Sequence, residues 1–232
     1  MGGVGLQNHK YNKQHIRDRF APETPIDVVR AGINPEKFSP TDTTVSQRVL
    51  TTSRFIEKKG LEYALEAIAI ASEQFPEIEY HIIGDGELES TLVRTTDRLG
   101  IEENVTFLGK VSDRRLISEL DDARTFLLPC VIAASGDRDG IPVAMMEAMA
   151  MGTPPVSTTV SGIPELVDHE RNGLLTEPRN PDATTDALLR LLGNDSEWAE
   201  YSKRARKKVS TEFDIETEVE KLETTVRKAR AE

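Results

Sequence analysis

The sequence predicts a doubly wound α/β fold, a Rossmann-like and mostly parallel sheet with helices on both faces. Three observations carry that prediction. From residue 48 onward, short aliphatic or β-branched runs alternate with segments of helical period, which implies successive right-handed βαβ units. Glycines and charged residues gather in the loops that follow the strands, where such a sheet opens its ligand crevice. A hydrophobic content of 38% in 232 residues supports a sizeable core. No apolar run nears the roughly eighteen residues of a membrane span.

The first residues differ from the rest. MGGVGLQNHKYNKQHIRDRF has weak helical periodicity, and APETPIDVVRAGINPEKFSP holds a short β-branched run between prolines. Residues 1–45 are read as a linker or the tail of a preceding domain, and the stretch TDTTVSQ that crosses their end is a polar loop. The main domain is then expected over 46–212. RVLTTS is its first strand, and KGLEYALEAIAIASEQF sets apolar residues at 61, 64, 65 and 68 on one helical face. IEYHIIG is strand, ELESTLVRTTDRLG a helix ending at Gly100, and NVTFLG strand. DRRLISELDDA is helix, RTFLLP strand, PVAMMEAMAM helix and PPVS strand. IPELVDH is a short helix, GLLTEP a strand, and three helical segments finish the chain, the last over 213–232.

The net charge of −11 excludes a general nucleic-acid binder, keeps the chain soluble and is compatible with a salt-rich cytoplasm. The single cysteine, Cys130, excludes an internal disulfide framework and fits a reducing cytoplasm. One basic cluster, Lys203-Arg204-Ala205-Arg206-Lys207-Lys208, is either a solvated helix face or a membrane or phosphate patch. No His/Cys cluster has metal-ligand spacing and no Ser-His-Asp arrangement is evident, so neither metal nor cofactor is expected.

Five loops carry candidate chemistry. In SRFIEKKG, Arg54 follows a strand and Lys59 precedes Gly60 at a helix start. Two cations near helix N–H donors suit a phosphate group, and an ordinary surface loop would look the same. In IIGDGELE, Gly84 and Gly86 flank Asp85, either letting the backbone approach a ligand closely or forming a tight βα turn with nothing bound. The third glycine of a dinucleotide fingerprint is absent. In LGKVSDRRL, Lys110, Val111 and Ser112 turn into a helix; Val111 is a surface for a nucleotide base, while Ser112 or Asp113 is an N-cap.

The fourth loop enters the apolar helix. Pro142 fits its first position, so Asp139-Gly140-Ile141 is the entrance, with unpaired N–H groups over Gly140 to Val143. Asp139 is a helix cap or a ligand contact. Glu147 lies on one face with Val143 and Met151 among residues that want burial, so it needs a partner, either a protein donor or a ligand hydroxyl. The fifth loop repeats the Gly-Ile-Pro entrance at Gly162 to Pro164, whose N–H groups are candidates to line the same crevice.

In order, SRFIEKKG, IIGDGELE, VTFLGKVSDRRL, DGIPVAMMEAMAMGTPPVST and SGIPELVDHERNGLL resemble the donor-binding half of group 1 (family 4) glycosyltransferases of GT-B fold. The wording GIPVAMMEAMA is nearest to the exopolysaccharide-synthesis subgroup, and the resemblance covers roughly residues 26 to 215. It implies a retaining, metal-independent hexosyltransferase that takes sugar from a UDP- or GDP-sugar donor to a glycan or lipid-linked acceptor. It further implies that Arg54 and Lys59 hold the diphosphate, that Asp139 faces the donor sugar and that Glu147 accepts from the ribose. Gly140, Ile141, Pro142 and Val143 would contact sugar and phosphate, with Gly84, Asp85 and Gly86 also in the donor site and Lys110 to Ser112 by the base.

The family usually has Glu where Asp139 stands, so this acid reaches one methylene less far. The acceptor-binding N-terminal domain is expected to be missing, residues 1–45 being its remnant and 213–232 the helix that crosses back to it. The isolated chain is then expected to bind nucleotide and transfer little sugar. The expected location is the cytoplasm, with peripheral contact at the inner membrane face for the full-length enzyme. A non-catalytic nucleotide-sugar module and a GT-B-fold nucleotide-sugar epimerase are the alternatives.

Overall fold

The computed structural model describes residues 5–7, 9–19, 26–41 and 47–231; most of the polar stretch TDTTVSQ lies outside them. The main sheet has six parallel strands in the order β5-β4-β3-β6-β7-β8. Here β3 is Arg48–Thr52, β4 Glu79–Ile83, β5 Val105–Gly109, β6 Thr125–Leu128, β7 Pro155–Thr158 and β8 Leu174–Thr176. The central strands β6 and β7 are buried along their whole length, as expected for strands covered by helices on both faces.

Sheet order and crossover hand fix the layers. The chain steps from β3 outward to β5, then returns to β6 and steps the other way to β8. Right-handed crossovers therefore put the helices of the two halves on opposite faces. On one face α2 (Leu61–Ser72) packs against α3 (Glu89–Leu99) and α7 (Pro181–Gly193). On the other, α5 (Val143–Met151) packs against α4 (Asp113–Asp122) and α8 (Asp195–Glu212). In α2 the residues read as its apolar face, Leu61, Ala64, Leu65 and Ile68, are buried to 2% exposure or less. The short α6 (Ile163–Leu166) joins β7 to β8, and α9 (Ile215–Ala231) ends the chain.

The N-terminal region holds more structure than its weak periodicity suggests. A strand β1 (Gly5–Gln7), a helix α1 (Lys10–Arg19) and a strand β2 (Ile26–Val28) form a separate parallel βαβ unit. Three-residue strands are too short to show a period, which is why β1 escaped sequence reading. The segment after β2 is pinned down: Ile33 N–H donates to Phe213 O at 3.0 Å, and Ile215 N–H to Ile33 O at 2.9 Å. Ile33, Phe38 and Phe213 join the buried core, so the core reaches past residues 46 and 212 on both sides.

Candidate functional site

The doubling back of the chain between β5 and β6 leaves β3 and β6 adjacent, with their following loops diverging. In a doubly wound sheet this switch point, at the carboxyl edge, is where a ligand crevice is expected. The loop after β3 supplies one wall. Arg54 is exposed, and its side chain has no hydrogen bond or ion pair among the described residues. Glu57–Lys59 then form a single 3₁₀ turn before Gly60 opens α2.

That turn is tied to the loop after β6. Val131 N–H donates to Lys58 O at 3.0 Å, and Ala134 N–H to Glu57 Oε1 at 2.8 Å. Lys59 Nζ sits 2.5 Å from Asp139 Oδ2, and Lys58 Nζ bridges Asp137 at 3.1 Å and Asp139 at 3.6 Å. The lysines and Asp139 are only 12–15% exposed, so their pairing is partly shielded from water. The hydrogen bond from Lys58 holds Asp137 below the ordinary carboxylate value. Burial, then the Asp139 charge, pushes the Cys130 thiol up. It stays protonated and reaches Asp139 Oδ2 at 3.5 Å.

Asp139 is therefore an ion-pair acid and not a helix cap. The N-cap of α5 is Pro142, with extended ψ of 122°, and no side chain caps the helix. This also corrects the expected place of Pro142: its fixed φ suits either position, and its extended ψ delays the helix to Val143. The amides of Gly140, Ile141 and Val143 have no acceptor among the described residues, so N–H donors are open at the start of α5 and just before it.

Glu147 lies one turn inside α5. Met145, Met146, Ala148, Met149, Ala150 and Met151 are all buried, whereas Val143 is 44% exposed. The face shared by Val143, Glu147 and Met151 thus opens at the N-terminal end and closes at the other. Glu147 is half-buried and makes no hydrogen bond or ion pair among the described residues; the protein donor that sequence reasoning allowed is absent there. Burial, helped by the charge of Asp113, raises its pKa, and Lys37 opposes the rise.

The two loops beyond β3 complete the rim. At Gly84 and Gly86, read as either a close approach to a ligand or a tight βα turn with nothing bound, the chain's own backbone occupies the Cβ side. A Cβ on Gly84 would lie 1.8 Å from Ser53 O, and one on Gly86 would lie 2.6 Å from Phe55 O. Phe55 N–H donates to Asp85 O at 2.7 Å in the same close contact. Asp85 and Lys110 pair at 2.7 Å across the two loops, both well exposed, a geometry worth little in stability. Ser112 is the N-cap of α4, accepting from Arg115 N–H at 3.4 Å. Val111 is partly buried against the core.

The second Gly-Ile-Pro entrance faces inward. A Cβ on Gly162 would lie 2.9 Å from Ile141 and 3.2 Å from the His9 ring. Glu165 accepts from Tyr11 N–H at 3.2 Å and pairs with Arg30 at 3.0 Å. Arg138, next to Asp139, donates to the Tyr11 hydroxyl at 2.7 Å. Sequence reasoning missed Lys58, Asp137 and this N-terminal cover. The Lys-Lys dipeptide pointed to Lys58, but no sequence signal placed His9 or Tyr11 over the loop.

Comparison with known proteins identifies the family and the fold. Residues 35–208 match the family described as Glycosyl transferases group 1. The chain is 42% identical over 195 residues to the amylovoran biosynthesis glycosyltransferase AmsK of Erwinia amylovora, covering 83% of this chain and 48% of that protein. It is 39% identical over 196 residues to the putative colanic acid biosynthesis glycosyltransferase WcaL of Escherichia coli, with the same coverage. It spans about half the length of these curated relatives. Among solved structures, Anabaena Alr3699/HepE in complex with UDP-glucose superposes with a TM-score of 0.86 at 20% identity, covering 97% of this chain and 64% of that one. That likeness establishes the fold.

Proposed function

The chain belongs to the group 1 glycosyl transferases, and from that premise we propose that it forms the nucleotide-sugar donor half of a retaining, metal-independent enzyme. The donor is a UDP- or GDP-sugar, and the product is an exopolysaccharide precursor built on a glycan or lipid-linked acceptor. One observation carries the reading. Glu147 is a half-buried carboxylate with no partner among the described residues, held one turn inside a helix whose leading amides also lack acceptors. An ionised carboxylate in that position gains most from two hydroxyls of a ribose.

The rest follows from the crevice. Arg54 is an exposed cation at the mouth, and Lys59 stands beside Asp139 at the helix N-terminus. Together with the Gly140 to Val143 amides they suit a diphosphate whose charge grows as the glycosidic bond breaks. Asp139 orients Lys59 and lies within reach of the donor sugar; attack then comes from the face the diphosphate leaves. HepE was solved with UDP-glucose, which supports a nucleotide-sugar donor.

The acceptor domain is proposed to lie in the longer protein, against α9. Ile215, Val219, Leu222 and Val226 are 37–45% exposed at spacings of four, three and four, one continuous helical stripe. Among the described residues no helix is long and apolar enough to cross a membrane, so membrane contact of the whole enzyme is proposed to be peripheral.

Calorimetry of the 232-residue chain with UDP, GDP and NAD tests the donor site. Binding of UDP or GDP that is lost in Glu147→Gln supports it; binding of NAD with no response to either nucleotide defeats it. Robust sugar transfer by this chain alone would defeat the assignment of acceptor binding to another domain.

A further inference from the structure

The basic run on α8 is divided by the fold, and the division leaves a cationic groove that the donor site does not use. Arg206 turns inward, donating to Phe38 O at 2.6 Å and to Ala150 O at 2.5 Å. Arg204, Lys207 and Lys208 instead share the face of α8 that looks toward the turn between α6 and β8. Arg171 stands on that turn, across a groove of about 330 Å³.

The turn is rigidly built. Asn172 is 2% exposed; its side chain accepts from Asp168 N–H at 2.8 Å and donates to Leu166 O at 3.3 Å. Asp168 in turn reaches Lys208 at 3.3 Å, strapping the turn to the helix. Both acids of the groove are spent on one base, since Glu212 also pairs with Lys208, at 3.2 Å. Arg171 and Lys207 are exposed and have no ion pair among the described residues, and Arg204 has only the exposed Glu200. A surplus of positive charge is thus concentrated in a concave site on a chain of net charge −11.

We propose that the groove between Arg171 and the Arg204–Lys207–Lys208 face of α8 binds a phosphate group. Two guanidinium forks approaching from opposite walls match phosphate geometry, and a concave site suits a discrete group better than a flat charged sheet. The turn precedes β8, so the groove opens at the amino edge of the sheet, opposite the crevice. Its occupant is a molecule other than the donor, either a free phosphorylated compound or the headgroup of an anionic lipid.

The test uses the whole 232-residue chain, titrated with inorganic pyrophosphate while the Arg171, Asn172 and Lys207 amides are followed by NMR. A parallel arm measures co-sedimentation with phosphatidylcholine vesicles with and without phosphatidylglycerol. Saturable shifts at those amides with no vesicle binding identify a free phosphate ligand; phosphatidylglycerol-dependent sedimentation identifies a headgroup. In the double variant Arg171→Gln/Lys207→Gln either affinity is expected to fall about tenfold or more. Both residues are exposed, so the fold is expected to persist. No response in either arm, or binding unchanged in the double variant, overturns the proposal. Shifts at Gly140 and Val143 report the donor crevice separately, so failure of one site is distinguishable from failure of the other.

Discussion

Lys59 and Asp139 meet at 2.5 Å across the two loops that diverge at the centre of the sheet, and each is almost nine-tenths buried. The pair sets the charge of the crevice: with Lys58 and Asp137 it brings two cations and two anions together.

Asp139→Asn takes the paired charge from Lys59, which stays partly buried, and leaves Lys58 with Asp137 alone. The variant is expected to lose about 1–3 kcal/mol of stability, measured by urea unfolding. It is also expected to bind inorganic pyrophosphate about two- to tenfold more tightly at low salt, with the gain fading as salt rises. Weaker pyrophosphate binding would mean that the acid itself shapes the anion site.

Arg54→Ala removes an exposed cation with no described partner, so its stability should match wild type within about 0.5 kcal/mol. Affinity for UDP or GDP should fall about tenfold. A drop in stability without loss of nucleotide would reassign Arg54 to the fold.

Glu147 titrates in the opposite sense to a paired acid. Its folded pKa is raised by burial, so the folded state holds the proton more tightly than the unfolded chain does. The ionised form therefore costs stability; the cost is absent below the unfolded pKa and is fully present above the folded one. Glu147→Gln is expected to melt higher than wild type at pH 7 and equal to it under acidic conditions, while nucleotide affinity falls about tenfold. Melting curves across pH with calorimetry check both halves.

Two glycines of positive φ should respond differently to alanine. Gly84 has φ of 134° and its Cβ would collide with Ser53 O, whereas Gly100 has φ of 68° and open space around it. Gly84→Ala is expected to cost more than about 3 kcal/mol or to prevent folding, and Gly100→Ala about 1 kcal/mol. Thermal unfolding of the two variants side by side decides it.

Within the basic run, position should matter more than charge. Arg206→Met strands the carbonyls of Phe38 and Ala150 and is expected to cost about 1–3 kcal/mol. Lys203→Met, exposed on the same helix, should lie within about 0.5 kcal/mol of wild type. Equal losses would show that the run acts through its net charge.

Much of this protein is written in local pattern. The order and type of the main-domain strands and helices followed from hydrophobic period, because burial of one face imposes that period wherever an element packs. The expectation of a crevice beyond the carboxyl ends of the strands rests on the same order, since right-handed crossovers leave few ways to arrange the strands. Glu147 stood out because a carboxylate on an otherwise apolar helix is costly unless something meets it.

Tertiary structure decided the partners. Asp139 reads in sequence as a helix cap or a ligand contact, and only the fold brings Lys59, eighty residues earlier, to its side. Gly84 and Gly86 read as a tight turn or a close approach to a ligand, and only the fold shows the Ser53–Phe55 backbone against their Cβ side. The five basic residues between Lys203 and Lys208 look alike in the chain, yet Arg206 is spent on two carbonyls while Lys207 faces solvent. Periodicity reports which face of an element is buried; it carries no information about which distant atom waits there, because that contact is set by how whole elements pack.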